Sequence, residues 1–127
     1  MSSHNRDIAA AFSGHRFRET YDHLALDIVW VAAGGSTTEG KDGVISTCEE
    51  TLAELANTTT EFTRFLTVAD DDVAAVDVIG RYTDLAGGTS TVASCDIYEF
   101  RDNLVTRITS YTVEIDTPAS APQEQRT

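Results

Sequence analysis

Two runs of alternating residues, Thr89–Phe100 and Leu104–Ile115, flank the polar triplet Arg101-Asp102-Asn103, and few folds can absorb such a pair. Alternation with a period of two is the signature of a strand, and two strands separated by a short polar interruption read as a hairpin. In the first arm Ser94, Asp96, Tyr98 and Phe100 share one face, and Cys95, Ile97 and Glu99 the other. In the second, strict alternation predicts Val105, Arg107, Thr109 and Tyr111 on one face and Thr106, Ile108, Ser110 and Thr112 on the other. Asp96 is the misfit, a mid-strand acid on a face shared with two aromatic rings. It is either solvated on an outer face or held in a pocket on an inner one.

The remaining segments must cover one face of that hairpin. Arg6–Phe12 reads as a short helix, with Asn5 as N-cap and Ile8, Ala9 and Phe12 as its apolar stripe, broken by Ser13-Gly14. A second helix is predicted from His15, with Phe17, Tyr21 and Leu24 stacked at spacings of four and three. Leu26–Ala32 reads as a strand, with Ile28, Trp30 and Ala32 on one face. A glycine-containing loop follows over 34–43. It lacks the GxxxxGK[ST] phosphate cradle, because Asp42 follows Lys41 where a Ser or Thr belongs. Val44, Cys48, Leu52 and Leu55 give a third helix a clean buried stripe. Strands are expected at Glu61–Val68 and Val73–Tyr82, joined by a turn of three aspartates, 70–72, that lacks the acid spacing and glycine of a calcium loop. The order α-α-β-α-β-β-β-β predicts an α+β fold. A curved, mainly antiparallel sheet would wrap around N-terminal helices in a cone-shaped roll, and the cone would leave a cavity lined by inward-facing residues.

At 127 residues and 41% hydrophobic content the chain suits a single domain over 1–117, with a polar tail at 118–127 expected to be disordered. No apolar run of 18 residues and no basic-then-apolar leader is present, so neither a membrane span nor a signal peptide is expected, and a cytoplasmic location is the default. The formal charge is −12, and residues 39–84 carry 11 acids against 3 bases. Such an acidic chain has no basic patch for phosphates, which argues against nucleic acids and anionic membranes as partners. Cys48 and Cys95 are the only cysteines and lie far apart, which argues against structural metal and a disulfide scaffold. No metal or other cofactor is expected.

Three segments carry a resemblance to a known superfamily: FSGHRF leading into LALDIVWV, the loop and helix EGKDGVISTCEETL, and the strand pair ASCDIYEFRDNLVTRITSY. Together they resemble the nuclear-transport-factor-2-like superfamily, and within it the SnoaL-like group, over residues 7–115. That resemblance implies the conical roll and a family of ketosteroid isomerases, polyketide cyclases, epoxide hydrolases, dehydratases and non-enzymatic binding modules. It also places Asp96 where the isomerases carry an acid that donates a hydrogen bond to the substrate oxyanion. Two other parts of the isomerase machinery are missing. Ala32, Ala33, Gly34 and Gly35 supply no acid where the general base belongs, and no tyrosine stands near Asp7 or Ile8. Without that base the isomerases' own route to proton abstraction alpha to a carbonyl is not available, which argues against a steroid isomerase.

The chemistry left open is a cofactor-free isomerase, cyclase or dehydratase in which Asp96 acts as acid or base on a small, largely apolar organic molecule. Phe17, Tyr21, Trp30, Tyr98 and Tyr111 would bind that molecule, and His15 could face the cavity mouth. In the alternative, Asp96 pairs with Arg107 or Arg81 on a neighbouring strand, and the chain is a non-catalytic ligand-binding or dimerisation module. Under either reading a homodimer is expected, because Cys95, Ile97, Ile108 and Val76 would leave the outer sheet face partly apolar.

Overall fold

The structure, a computed structural model, describes residues 2–115; the tail at 118–127 lies outside the described residues. Helix α1 (Ser2–Ser13) is followed by a 3-10 segment (Phe17–His23), β1 (Leu24–Ala32), β2 (Thr37–Glu39), α2 (Lys41–Leu55), β3 (Thr59–Ala69), β4 (Val73–Thr83), β5 (Thr89–Arg101) and β6 (Leu104–Ile115). The six strands form one sheet in the order β2-β1-β6-β5-β4-β3, antiparallel throughout except that β1 runs parallel to β6. The fold is therefore α+β, a curved and mainly antiparallel sheet wrapped around N-terminal helices.

The alternation in β4 and β5 sets the two faces. Ala74, Val76 and Val78 are buried and pair with Tyr98, Asp96 and Ser94, so those six share the inner face. Val76 thus lies inside and not on the outer face that the sequence reading assigned to it. The second arm of the hairpin departs further from strict alternation. Glu99 pairs with Arg107 but Phe100 pairs with Val105, so Thr106 is an extra residue, a bulge, with its Oγ1 donating to the Glu99 carbonyl at 3.1 Å. One inserted residue exchanges the faces of everything beyond it. Val105 points inward beside Phe100, and past the bulge Ile108, Ser110 and Thr112 are inward opposite Tyr98, Asp96 and Ser94. Arg107, Thr109 and Tyr111 point outward, so Tyr111 does not share the face of Asp96 and Ile108 does not belong to the outer surface.

Helix α1 is longer than predicted, and Asn5 is not its cap. Asn5 is an interior residue of the helix, 1% exposed, with Nδ2 donating to the carbonyls of Asp70 and Asp71. The side chain pins the three-aspartate turn to the helix, a long-range role invisible to local sequence rules. The helix then ends in a Schellman arrangement: His15 N–H donates to the Phe12 carbonyl and Arg16 N–H to that of Ala11. The left-handed residue this motif requires is His15, at φ 67°, although Gly14 stands beside it. A side chain in that conformation costs roughly 1–2 kcal/mol relative to glycine.

The abrupt end leaves room only for a 3-10 turn, not a second α-helix. Phe17 and Thr20, three apart, are buried there, and the Thr20 hydroxyl donates to the Phe17 carbonyl at 2.6 Å. Leu24 already belongs to β1. The core joins Ile8, Phe12 and Phe17 to Ile28 of β1, Val44 and Cys48 of α2, and the inner residues of β4, β5 and β6. Burial pushes the Cys48 thiol up to about 12, as befits a small core residue. Among the described residues no helix is long and apolar enough to cross a membrane.

Candidate functional site

Where the sheet curves away from α1 and α2 it leaves a cavity of about 330 Å³, at the lower end of the range typical of small-molecule sites. Its aromatic wall is Phe12, Phe17 and Trp30. The Phe12 ring stands edge-on to the other two at centroid distances of 4.9 and 5.1 Å. Strands β5 and β6 contribute Ser94, Asp96, Ser110 and Thr112, and α2 contributes Thr47 and Thr51. His15 and Tyr82 close the side nearest β3 and β4, with the His15 ring 5.5 Å from Phe62 and 6.1 Å from Tyr82. The Tyr82 ring lies over Gly80, where even a Cβ would approach its hydroxyl to 3.0 Å. The lining thus mixes aromatic surface with hydroxyls, and its ionisable side chains are Asp96, His15 and Tyr82. Among the described residues no lysine or arginine lines it.

Asp96 Oδ2 accepts a hydrogen bond from Ser13 Oγ at 2.7 Å, and Ser13 Oγ is also bonded to the Tyr98 hydroxyl. Proton counting fixes the direction of this chain. Tyr98 is fully buried, and burial together with the nearby Asp96 carboxylate holds its phenol well above the usual range. It therefore keeps its proton, and Ser13 is the acceptor at hand. Ser13, having accepted, donates its own hydrogen to Asp96. The order Tyr98 to Ser13 to Asp96 commits Oδ2 to accepting.

Neither arginine proposed from the sequence partners this acid. Arg107 and Arg81 both emerge on the outer face, where Arg107 Nε stands 3.7 Å from Glu99 Oε2. On His15 burial outweighs the attraction of Asp96, so its imidazole is held below the usual value. Burial first, and then Asp96, raises the Tyr82 phenol.

The residues singled out from the sequence are dispersed by the fold. Phe17 and Trp30 line the cavity, and Trp30 Nε1 donates to Ser110 Oγ at 3.0 Å. Tyr98 lies behind Ser13 rather than in the lining. Tyr21 turns away to donate to Glu49 Oε2 at 2.7 Å, because the 3-10 geometry rotates it off the face that an α-helix would have shared with Phe17. Arg18 binds the same carboxylate through two nitrogens, and the two partners hold Glu49 down to about 2. Tyr111, 54% exposed, is on the opposite side of the sheet, displaced by the Thr106 bulge. Ser13, Tyr82, Ser94 and Ser110 escaped sequence reasoning. For Ser94 and Ser110 a signal was present, since they flank Asp96 along and across the strands, but Ser13 read only as a helix breaker. Among the described residues no three His, Cys, Asp or Glu side chains cluster so as to hold a metal ion.

A curved sheet rolled around N-terminal helices, with a cavity between them, defines a class of fold. Residues 5–108 match the SnoaL-like domain family, and the chain belongs to that family. It superposes on an NTF2-like protein of unknown function from Cytophaga hutchinsonii with a TM-score of 0.78 and 27% identity, covering 89% of this chain and 99% of that one. A candidate ketosteroid isomerase from Kribbella flavida aligns at a TM-score of 0.66 and 21% identity over 99% and 91% of the two chains. A candidate polyketide cyclase from Xanthomonas campestris aligns at 0.64 and 17% over 84% and 91%. The last two likenesses establish the fold alone. No protein of curated function matches the chain.

Proposed function

We propose that the chain is a cofactor-free acid–base catalyst acting on a small, neutral organic molecule with an apolar body and one or more carbonyl or hydroxyl oxygens. Asp96 is the group that gives or takes the proton, in an isomerase, cyclase or dehydratase type of reaction. The observation that carries this reading is the Asp96 carboxylate lining the cavity, held by Ser13 rather than neutralised by an arginine. The lining supports the ligand class: Phe12, Phe17 and Trp30 offer aromatic surface, the serines and threonines offer hydrogen bonds, and the lack of Lys and Arg among the described lining residues disfavours anions.

Asp96→Asn tests it. The amide oxygen can still accept from Ser13, so the variant should fold with stability changed by less than about 1 kcal/mol. Exchange of the proton alpha to the carbonyl in D2O, followed by NMR over a panel of neutral cyclic ketones and hydroxyketones, should fall by about 10²–10⁴-fold. A compound that binds the wild type yet exchanges no faster than in buffer would leave the second reading, a ligand-binding module. That reading is favoured by the lack of any acid from Ala32 to Gly35.

We also propose that a second copy of the chain covers the outer sheet face. Leu66, Val68, Val73, Tyr111 and Val113 are exposed there, while the Arg64–Asp77 pair at 2.8 Å already satisfies the charges among them. A twofold contact sets such a self-matched patch against itself. Sedimentation should give a dimer for the wild type and a monomer for Val113→Arg; a monomeric wild type would end the idea.

A further inference from the structure

We infer that His15 is the second proton-carrying group of the cavity, the base that the chain lacks at Ala32–Gly35, and that it works as a pair with Asp96. The inference rests on the acid–base reading above and adds the residue that completes it.

Three observations converge on His15. Its ring lines the same cavity as Asp96. It is also held in place, between Phe17 at 5.7 Å, Phe62 at 5.5 Å and Tyr82 at 6.1 Å. Finally, it occupies the left-handed position of the Schellman motif that ends α1, at φ 67°, where glycine is the residue the backbone favours and where Gly14 is one residue away. A side chain kept in an unfavourable backbone conformation, with its ring aimed into a cavity, is the pattern of a functional constraint rather than of a cap.

The electrostatics fit the role. The titratable groups facing His15 are Asp96 from β5 and Tyr82 from β4. Arg16, its neighbour in sequence, is exposed and pairs with Glu19 at 2.9 Å. Burial holds the Tyr82 phenol neutral, so Asp96 is the charge that matters. Burial holds the imidazole below its ordinary value, leaving it unprotonated and able to accept a proton at neutral pH, and the Asp96 carboxylate then stabilises the imidazolium that forms. In an isomerisation His15 takes a proton from carbon and returns it to another carbon. In a dehydration the proton leaves with the departing hydroxyl as water. Neither needs an oxidant or reductant.

The probe is 5-nitrobenzisoxazole, a small neutral aromatic that reports a base in an apolar cavity. The base removes the carbon-bound proton, the C–H electron pair forms the nitrile, and the N–O bond breaks to give a coloured nitrophenolate. The wild-type chain should turn it over with a rate that rises with pH through a midpoint below the ordinary histidine value of about 6.5. His15→Asn keeps a residue tolerant of the left-handed backbone and should lower the rate at pH 7 at least tenfold. His15→Gly, the best cap, serves as a second variant if Asn does not fold, and His23→Gln should leave the rate unchanged. In a histidine ring NMR titration, Asp96→Asn should move the His15 midpoint to still lower pH, because the charge that favoured the imidazolium is gone.

A His15→Asn rate equal to wild type, with Asp96→Asn inactive, would overturn the inference and leave Asp96 as sole base. A His15 midpoint indifferent to Asp96→Asn would also overturn it, since the two would then not act as a pair. Equal rates in both variants, or no wild-type rate above buffer, would overturn the inference and the acid–base reading together.

Discussion

Ser13→Ala is expected to destabilise the protein by about 1–3 kcal/mol, more than loss of a serine hydroxyl at a helix end usually does. Ser13 is the acceptor for the phenol of Tyr98, which is completely buried. With the serine oxygen gone, that O–H is sealed in the core without a partner, and Asp96 loses its donor as well. Tyr98→Phe removes the phenol oxygen and orphans nothing, because Ser13 can still donate to Asp96, so a loss nearer 0.5–1.5 kcal/mol is expected, about the worth of one hydrogen bond. The double variant should be less destabilised than the sum of the two singles, by about 0.5–3 kcal/mol, since truncating Ser13 strands no hydroxyl once Tyr98 has lost its own. Urea unfolding of the four proteins measures this. Strict additivity would mean that the two hydroxyls are not coupled and that the direction assigned to the chain is wrong.

Phe12→Ala should have the largest effect on stability, about 3–5 kcal/mol. Phe12 is 3% exposed and makes edge-on contacts with Phe17, Trp30 and Tyr98, the last at 5.9 Å and 76°. It therefore ties α1, the 3-10 segment, β1 and β5 together at one point, and aromatic pairs of this geometry add to simple area burial. At roughly 4 °C per kcal/mol the midpoint of thermal unfolding should fall by about 12–20 °C. Because the same ring forms part of the cavity wall, the truncation also opens the cavity toward the core, and compounds that bind the wild type should bind weakly or not at all. Phe12→Leu, which keeps most of the volume, should recover more than half of the lost stability. A loss below about 1 kcal/mol for the alanine variant would show that the helix is not anchored through this ring.

Much of the fold was legible because it is written in local period. The alternation in Val73–Tyr82 and Thr89–Phe100 names two strands without saying which face is inner, and the four-four-three stripe from Val44 to Leu55 names a helix and the side it turns to the core. Asp96 was legible for the same reason, as a charged residue where the period calls for a neutral one. The strand Thr37–Glu39 was hidden because three residues carry no period and form a strand only by pairing with Val29–Val31.

The face of Tyr111, the chain from Tyr98 through Ser13 to Asp96, and the position of His15 were decided elsewhere. A bulge at Thr106 leaves no mark in hydrophobic pattern, since one extra residue merely exchanges two faces that are both partly apolar. Ser13 and Asp96 are 83 residues apart and meet only because α1 crosses the inner face of β5. At Gly14-His15 a local rule would give the left-handed turn to the glycine. Helix α1 runs one residue further and gives it to the histidine, which turns the ring toward Phe62, Tyr82 and the cavity. The sequence by itself determined the long strands, the helix from Val44 to Leu55 and that one acid shares a strand face with aromatic rings, because these depend on period and charge within a few neighbours. Tertiary structure alone decided which hydroxyls and which imidazole meet that acid, because those meetings depend on register, helix length and close packing between segments far apart in the chain.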